Sequence, residues 1–210
     1  MISQSLSNAL RAVCSSLLTP VVIILLALIA VTVVLLGTII IEGIVERRHL
    51  KVKMSELIDN IRSDELPMKE TIESSGLLKK QKAILIELIE QEKLDDAMRE
   101  ALAARLLSEA QGRYDRIVKI SDTVAKLGPM LGLMGTLIPL GPGIMALGQG
   151  DTYTLSTSLL TAFDTTVAGL VSAAVALVIS GIRKSWYTNY MSMLETLMEC
   201  IVDKESKNRG

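Results

Sequence analysis

Apolar and polar positions divide the chain into long blocks. Residues 21–41 carry no charge, and about 20 apolar residues are what an α-helix needs to cross a hydrocarbon layer about 30 Å thick. The run is too long for the apolar part of a signal peptide. Two further runs cover 127–147 and 157–182, and Asp164 is the one charge within them. Between the first and second runs the pattern changes. In "LLKKQKAILIELIEQEKLDDAMREALAARLL", Leu78, Ile84, Leu85, Leu88, Ile89 and later apolar residues recur at three- and four-residue steps among charges, which predicts one amphipathic helix. Pro67 and Gly76 separate it from an earlier helix around 54–61. The predicted fold is an all-α membrane protein with three transmembrane helices and long cytoplasmic helical extensions.

Basic residues orient the spans. Arg47, Arg48, Lys51 and Lys53 follow the first, Arg113, Arg116, Lys119 and Lys126 precede the second, and Arg183 and Lys184 follow the third. Residues 148–156 hold Asp151 and no base. Lys and Arg favour the cytoplasmic side, so an N-terminal segment (1–20) and the loop 148–156 are expected outside. The helical domain 42–126 and the C-terminal helix 183–210 are expected in the cytoplasm.

Composition and charge remove several alternatives. Half of the residues are hydrophobic but only 3% are aromatic, and the net charge is −1, which gives no basis for nucleic acid as a partner. Cys14 and Cys200 stand alone and His49 is the single histidine, so neither a disulfide framework nor a zinc ligand set can be assembled. His49 reads as a solvated residue in a basic stretch, and Cys14 as a free thiol. No Gly-rich phosphate loop, Ser/His/Asp set or metal motif occurs.

The second and third spans carry small residues in stripes. At about 100° per residue, Gly128, Gly132, Gly135, Thr136, Pro139, Pro142, Gly143 and Ala146 share one face of the second span. Thr157, Thr161, Thr165, Ala168, Gly169, Ser172, Ala173, Ala176 and Ser180 do so on the third. Small faces let helices pack closely where lipid removes the hydrophobic drive. The first span, almost all large aliphatics, fits an outer position. Thr136 and Thr166 are expected at one depth near mid-membrane, where each hydroxyl either satisfies a carbonyl of its own helix or contributes to a hydroxyl ring around a pore. Asp164 costs about 2.5 to 3.5 kcal/mol on insertion scales, which suggests an ion path or a paired structural site. It lies about 160° from Thr166 on the helical projection. Pro129 fits the first turn of the second span, whereas Pro139 and Pro142 free the carbonyls of Gly135 and Ile138.

Two stretches carry a resemblance. "GPMLGLMGT" at 128–136 resembles the "APLLGLLGT" signature of the MotA/TolQ/ExbB proton-channel family, and "AFDTTVAGLVSAAVALVI" at 162–179 resembles the "ALxxTAxGLxVAIPAV" stretch of its last span. The resemblance implies that Thr136 and Thr166 line an ion path facing a carboxylate on a partner's single membrane helix. It also implies a homo-oligomer, a pentamer, around a dimer of a partner related to MotB, TolR or ExbD, in the inner membrane of a prokaryote. Proton-motive force would then drive movement of the ring. This chain has Thr161 where the family often has glutamate, and its carboxylate stands at Asp164 instead. The extra hydroxyls at Thr157, Thr161 and Thr165 suit Na⁺ as an alternative to H⁺. No cofactor beyond the transported ion is expected.

Three functions compete. An ion-conducting motor or stator-type subunit would use Thr136, Thr166, Asp164, Thr161 and Thr165 as its pathway, with Gly128, Gly132, Gly135, Gly169 and Ala173 packing the helices. A non-conducting oligomeric scaffold would use the same glycine faces and pass no ion. An intramembrane aspartyl protease needs two carboxylates sharing a proton, and the spans hold only Asp164, so an enzyme is not expected.

Overall fold

The structure is a computed structural model that describes residues 2–49, 54–62, 67–91 and 95–209. Its elements are α1 (Ile2–His49), α2 (Met54–Arg62), α3 (Met68–Ser74), α4 (Lys79–Glu90), α5 (Asp96–Gly148) and α6 (Thr152–Arg209), with no strand among the described residues. Three of these helices, α1, α5 and α6, are long and apolar enough to cross a membrane. Lys51 and Lys53 lie outside the described residues, as do the side chains of Cys14, Arg47, Arg48 and His49.

The helices exceed the apolar runs that define them. Nothing in the flanking sequence stops them, because Lys, Glu, Arg, Ala and Leu are all good helix formers. The helix expected around 54–61 is found as α2, and Pro67 precedes a further short helix, α3, that the pattern did not predict. The single amphipathic helix expected through "LLKKQKAILIELIEQEKLDDAMREALAARLL" is instead two. α4 ends at Glu90, Gln91 leaves helical geometry at φ −90° and ψ 49°, and α5 begins at Asp96. Asp95 makes the start: its carboxylate accepts from the Asp96 amide at 2.9 Å, and its carbonyl accepts from the Arg99 amide at 2.9 Å. The apolar period continues across the break because both helices turn their stripes into one core.

The chain forms two compact units, Met1–Thr38 with Lys119–Gly181, and Ile39–Val118 with Ile182–Gly210. The core of the second unit joins Leu57 and Ile61 of α2, Ile72 of α3, Leu85 and Leu88 of α4, Leu106 of α5, and Leu194, Leu197 and Ile201 of α6. Full burial of such side chains from water contributes about 1.5 to 3 kcal/mol each. Polar links fix the packing. Gln81 accepts from the Leu78 amide and donates to the Tyr190 carbonyl (3.4 Å), while Lys204 donates to the Ile61 carbonyl (2.7 Å). Arg99, only 1% exposed, pairs with Glu205 and donates to the Gln91 carbonyl at 3.2 Å. Removing one partner of such a buried pair costs about 3 to 5 kcal/mol.

A second polar knot ties α1 to α6 in the same unit. Glu42 accepts from the Tyr187 hydroxyl at 2.7 Å and from the buried Arg183 guanidinium at 3.3 Å. Gly43 leaves room for Trp186, whose ring would stand 3.3 Å from an added Cβ. Tyr114 stacks on Tyr187 with ring centroids 4.3 Å apart.

In the first unit, α1 buries a narrow stripe of Val21, Leu25, Leu28, Thr32 and Leu35 and leaves Ile23, Ile24, Leu26, Val33 and Val34 exposed. A hairpin connects α5 to α6. The expected loop 148–156 is shorter than the sequence suggested, since the helix resumes at Thr152. The Asp151 amide donates to the Ala146 carbonyl (2.9 Å) and the Gly150 amide to the Leu147 carbonyl (3.0 Å), with Gly150 at φ 82°. That pair of bonds closes a helix end around a left-handed residue, which glycine adopts without a Cβ clash. Asp151 then caps α6: its carboxylate accepts from the hydroxyl and the amide of Thr154. The Thr154 hydroxyl, and after it the Thr154 amide, hold the Asp151 carboxyl below the usual carboxylate range.

Candidate functional site

The two small-residue stripes meet. From residue 127 on, the buried positions of α5 are Gly128, Gly132, Gly135, Pro139, Gly143 and Ala146, at steps of three or four residues, while Leu133, Leu137, Ile144 and Leu147 stay exposed. Along the apolar part of α6 the buried set is Ala162, Thr165, Gly169, Ser172, Ala173, Ala176, Ile179 and Ser180, with Phe163, Val167, Leu170, Val171, Leu177 and Val178 exposed. Two positions leave the expected faces. Pro142 and Thr157 are exposed, and Ser158, half-buried, takes the seam position opposite Gly143.

The approach is close. A Cβ added to Gly128 would stand 2.6 Å from the Gly169 carbonyl oxygen, and one added to Gly169 would fall closer still to that of Gly128. Gly132 faces the backbone of Thr165 and Thr166, with an added Cβ at 3.3 to 3.5 Å. Gly135 receives the Thr165 side chain itself, since its added Cβ would meet the Thr165 Cβ and Oγ1 at 2.6 Å. Ala173 lies 3.0 Å from a Cβ built on Gly128. All five residues Gly128, Gly132, Gly135, Gly169 and Ala173 lie on one α5–α6 seam, with backbone against backbone in the half that holds Gly128.

This antiparallel register sets the levels of the remaining residues. Gly132 opposite Thr166 and Gly135 opposite Thr165 place Thr136 and Thr166 about two to four residues, or about 3 to 6 Å, apart along the helix axes. They sit on the margins of the seam, half-buried. Asp164, exposed, lies at the level of Thr136 on the other margin of α6, with Thr161, half-buried, one turn away. Thr165 is 6% exposed and points into the seam. Thus Thr136, Thr161, Asp164, Thr165 and Thr166 share a band of the hairpin but not one face.

The threonine hydroxyls are already engaged. Thr136 donates to the Leu133 carbonyl (2.7 Å), Thr161 to that of Thr157 (3.0 Å), Thr165 to those of Thr161 and Ala162 (2.9 and 3.0 Å), and Thr166 to that of Ala162 (2.9 Å). This is the local bond expected of a hydroxyl in an apolar helix. Each oxygen keeps lone pairs that can accept from a proton carrier or coordinate a cation.

Sequence reasoning missed a polar group below the glycine seam. The buried Ser180 hydroxyl donates to the Asp122 carboxylate, and Ser121 beside it is fully buried. A signal was available, because Ser121 precedes Gly128 by one heptad and so shares the seam, but Asp122 lies before the apolar run and reads as cytoplasmic charge. Pro129 is also corrected: it lies well inside α5, not in a first turn, and α5 passes through Pro129, Pro139 and Pro142 without ending. The helix started earlier, in the polar segment, so the apolar boundary near residue 127 is not a helix boundary.

No group of three or more metal-ligating side chains occurs among the described residues. The sequence profile of the MotA/TolQ/ExbB proton channel family matches residues 68–196, which takes in α3, α4, all of α5, α6 as far as Thr196, and the glycine seam. A search of curated proteins finds no match. The match covers more than half of the chain, and with three membrane-length helices it identifies a multi-pass membrane protein and not an enzyme: the chain belongs to the MotA/TolQ/ExbB proton channel family.

Proposed function

We propose that this chain is one subunit of a homopentameric ring that conducts ions, H⁺ by preference and Na⁺ as the alternative, and that it works with a single-span, carboxylate-bearing partner of MotB, TolR or ExbD type. Ion-motive force across a prokaryotic inner membrane then drives movement of the ring around that partner. Residues 21–41, 127–147 and 157–182 cross the membrane, with 42–126 and 183–210 in the cytoplasm and 148–156 outside. One observation carries the reading: the Gly128–Gly169 seam leaves no room for a cation between α5 and α6, while Thr136 and Thr166 stand near one level on its open margins. An ion must therefore pass between the hairpin and something beside it, and the partner helix supplies the titrating carboxylate at that level. One elementary charge crossing 100 mV releases about 2.3 kcal/mol, so a few ions per step suffice to bias a conformational change.

A second reading is favoured by the carbonyl bonds of the threonine hydroxyls: a non-conducting scaffold needs them for nothing else. Flux decides between the two. The chain is co-expressed with its single-span partner in vesicles, and proton and sodium uptake are followed under an imposed gradient. Thr136→Val with Thr166→Val should abolish gradient-driven uptake while the assembled complex is recovered at wild-type yield. Uptake at the wild-type rate in the double variant would remove the threonine path, and its absence from the wild type with every candidate partner would favour the scaffold.

A further inference from the structure

Below the glycine contacts the seam turns polar. Ser121 and Ser180 each stand one heptad beyond the Gly128–Ala173 contact, on α5 and α6, so the antiparallel register sets one serine against the other. Ser180 donates to the Asp122 carboxylate. Ser121 is fully buried, and its hydroxyl has no hydrogen-bond partner among the described residues. A buried hydroxyl left so costs about 1 to 3 kcal/mol, and such groups are met by bound water or an ion. Just under one turn above Asp122, the Ala125 carbonyl faces Pro129, which has no amide to give it.

Asp122, half-buried, stands on the flank of the two threonines. At about 100° per residue, counted from Gly128 in the sense of rising number, Thr136 lies about 80° round α5 and Asp122 about 120°. Counted in the same sense from Thr165, which enters the seam, Thr166 lies about 100° round α6 and Ser180 about 60°. Seen from one end, two antiparallel helices wind in opposite senses, so equal turns away from their contact lead to the same flank. Asp164 turns the other way. Thr136, Thr166 and Asp122 therefore share one flank of the hairpin, with Asp122 about 21 Å from Thr136 along α5 at 1.5 Å per residue. Lys119 and Lys126 stand further round α5 and are exposed, and Arg183, just under one turn beyond Ser180, is paired with Glu42. Within the unit neither α1 nor α6 brings another charge to this level.

We propose that Asp122 is a second station for the transported cation: its carboxylate, steadied by Ser180, receives the ion that leaves the level of Thr136 and Thr166 and hands it to the cytoplasm. A proton reaching the carboxylate gives the neutral acid, and its release to cytoplasmic water restores the carboxylate for the next. The oxygens of Asp122, Ser121 and Ala125 all offer lone pairs, so the same station suits a sodium ion. The inference rests on the conducting reading above and adds the cytoplasmic end of the path to it.

The test uses the full chain with its single-span partner in vesicles, following proton and sodium uptake under an imposed gradient. Asp122→Asn leaves an oxygen for Ser180 to bond but carries no charge and takes up no proton. It should lower uptake of the conducted ion by about a hundredfold, the scale of losing a positioned proton-transfer group, with the complex recovered at wild-type yield. Asp122→Glu should restore part of that uptake, and an equal loss in it counts against the station. Ser180→Ala breaks the bond between the helices and keeps the carboxylate, so it should lower uptake less than Asp122→Asn does and the unfolding midpoint in detergent more. If uptake falls in step with the midpoint across the two variants, Asp122 acts through packing alone and the assignment fails. Wild-type uptake in Asp122→Asn, or loss of its assembled complex, also overturns the station and leaves the conducting reading standing. No uptake by the wild type with any candidate partner overturns the conducting reading itself.

Discussion

At the residue scale, the seam turns on where a methyl group can be placed. Gly128 and Gly169 each have a carbonyl oxygen where a Cβ would go, whereas Gly37 of α1 and Gly112 of α5 have open space. Gly128→Ala and Gly169→Ala must push α5 and α6 apart, at a cost of about 1 to 3 kcal/mol for overpacking, which outweighs the roughly 1 kcal/mol gained in helix propensity. Gly37→Ala meets no such obstacle. Detergent-induced unfolding followed by circular dichroism should therefore show a lower midpoint for the first two variants and an equal or higher one for Gly37→Ala. Equal midpoints for all three would mean that the seam does not bear on stability. Gly135 differs in kind, because it faces a side chain, Thr165, and not a backbone.

At the element scale, the prolines of α5 are not equivalent. Pro139 is buried in the seam and Pro142 is exposed, yet each removes one amide from the helix ladder. Proline inside a helix costs about 3 kcal/mol relative to alanine in water. Pro142→Ala loses no seam contact and returns a donor to the Ile138 carbonyl, so it should raise the unfolding midpoint. Pro139→Ala also opens a gap in the seam and should gain less. If Pro142→Ala left the midpoint unchanged or lowered it, the side chain would have to be packing against something outside the subunit. Much at this scale was legible in the sequence. The spans, the two small faces and α2 follow from residue size and period alone. What was not legible has physical reasons. The division into α4, ending at Glu90, and α5, beginning at Asp96, hides because the apolar period of the one runs on into that of the other, and the length of α5 and α6 hides because a helix does not stop where its apolar run does. Arg183 with Glu42 and Asp122 with Ser180 are pairings between distant helices, which a local pattern does not encode.

At the scale of the whole molecule, what matters is the neighbour that stands beside the hairpin. Asp164 is exposed in the third span, at the level of Thr136 and away from Thr166. A carboxylate facing lipid at that depth is costly, so on the proposed reading it faces another copy, the partner or water. Asp164→Asn keeps size and hydrogen bonding but cannot ionise. Reduced ion uptake with the complex intact would place Asp164 on the ion path, and loss of the complex would make it a contact between subunits. Normal uptake together with normal assembly in the Asp164→Asn variant would exclude both roles. The site was legible only in part: one sequence shows which residues a face carries, but not what that face meets.

The glycine seam also bears on which substitutions the chain can accept. Glycine has the smallest side chain of all, so every substitution at Gly128 or Gly169 adds volume where a carbonyl already sits, and no sequence of single changes leads away without a misfit. On the outward surfaces of the same helices, Leu133, Leu137, Phe163 and Val167 meet no such limit within the subunit. The seam therefore constrains this chain at a few fixed intervals, where volume can only be added. The stretch that the family profile matches, residues 68–196, contains both walls of that seam.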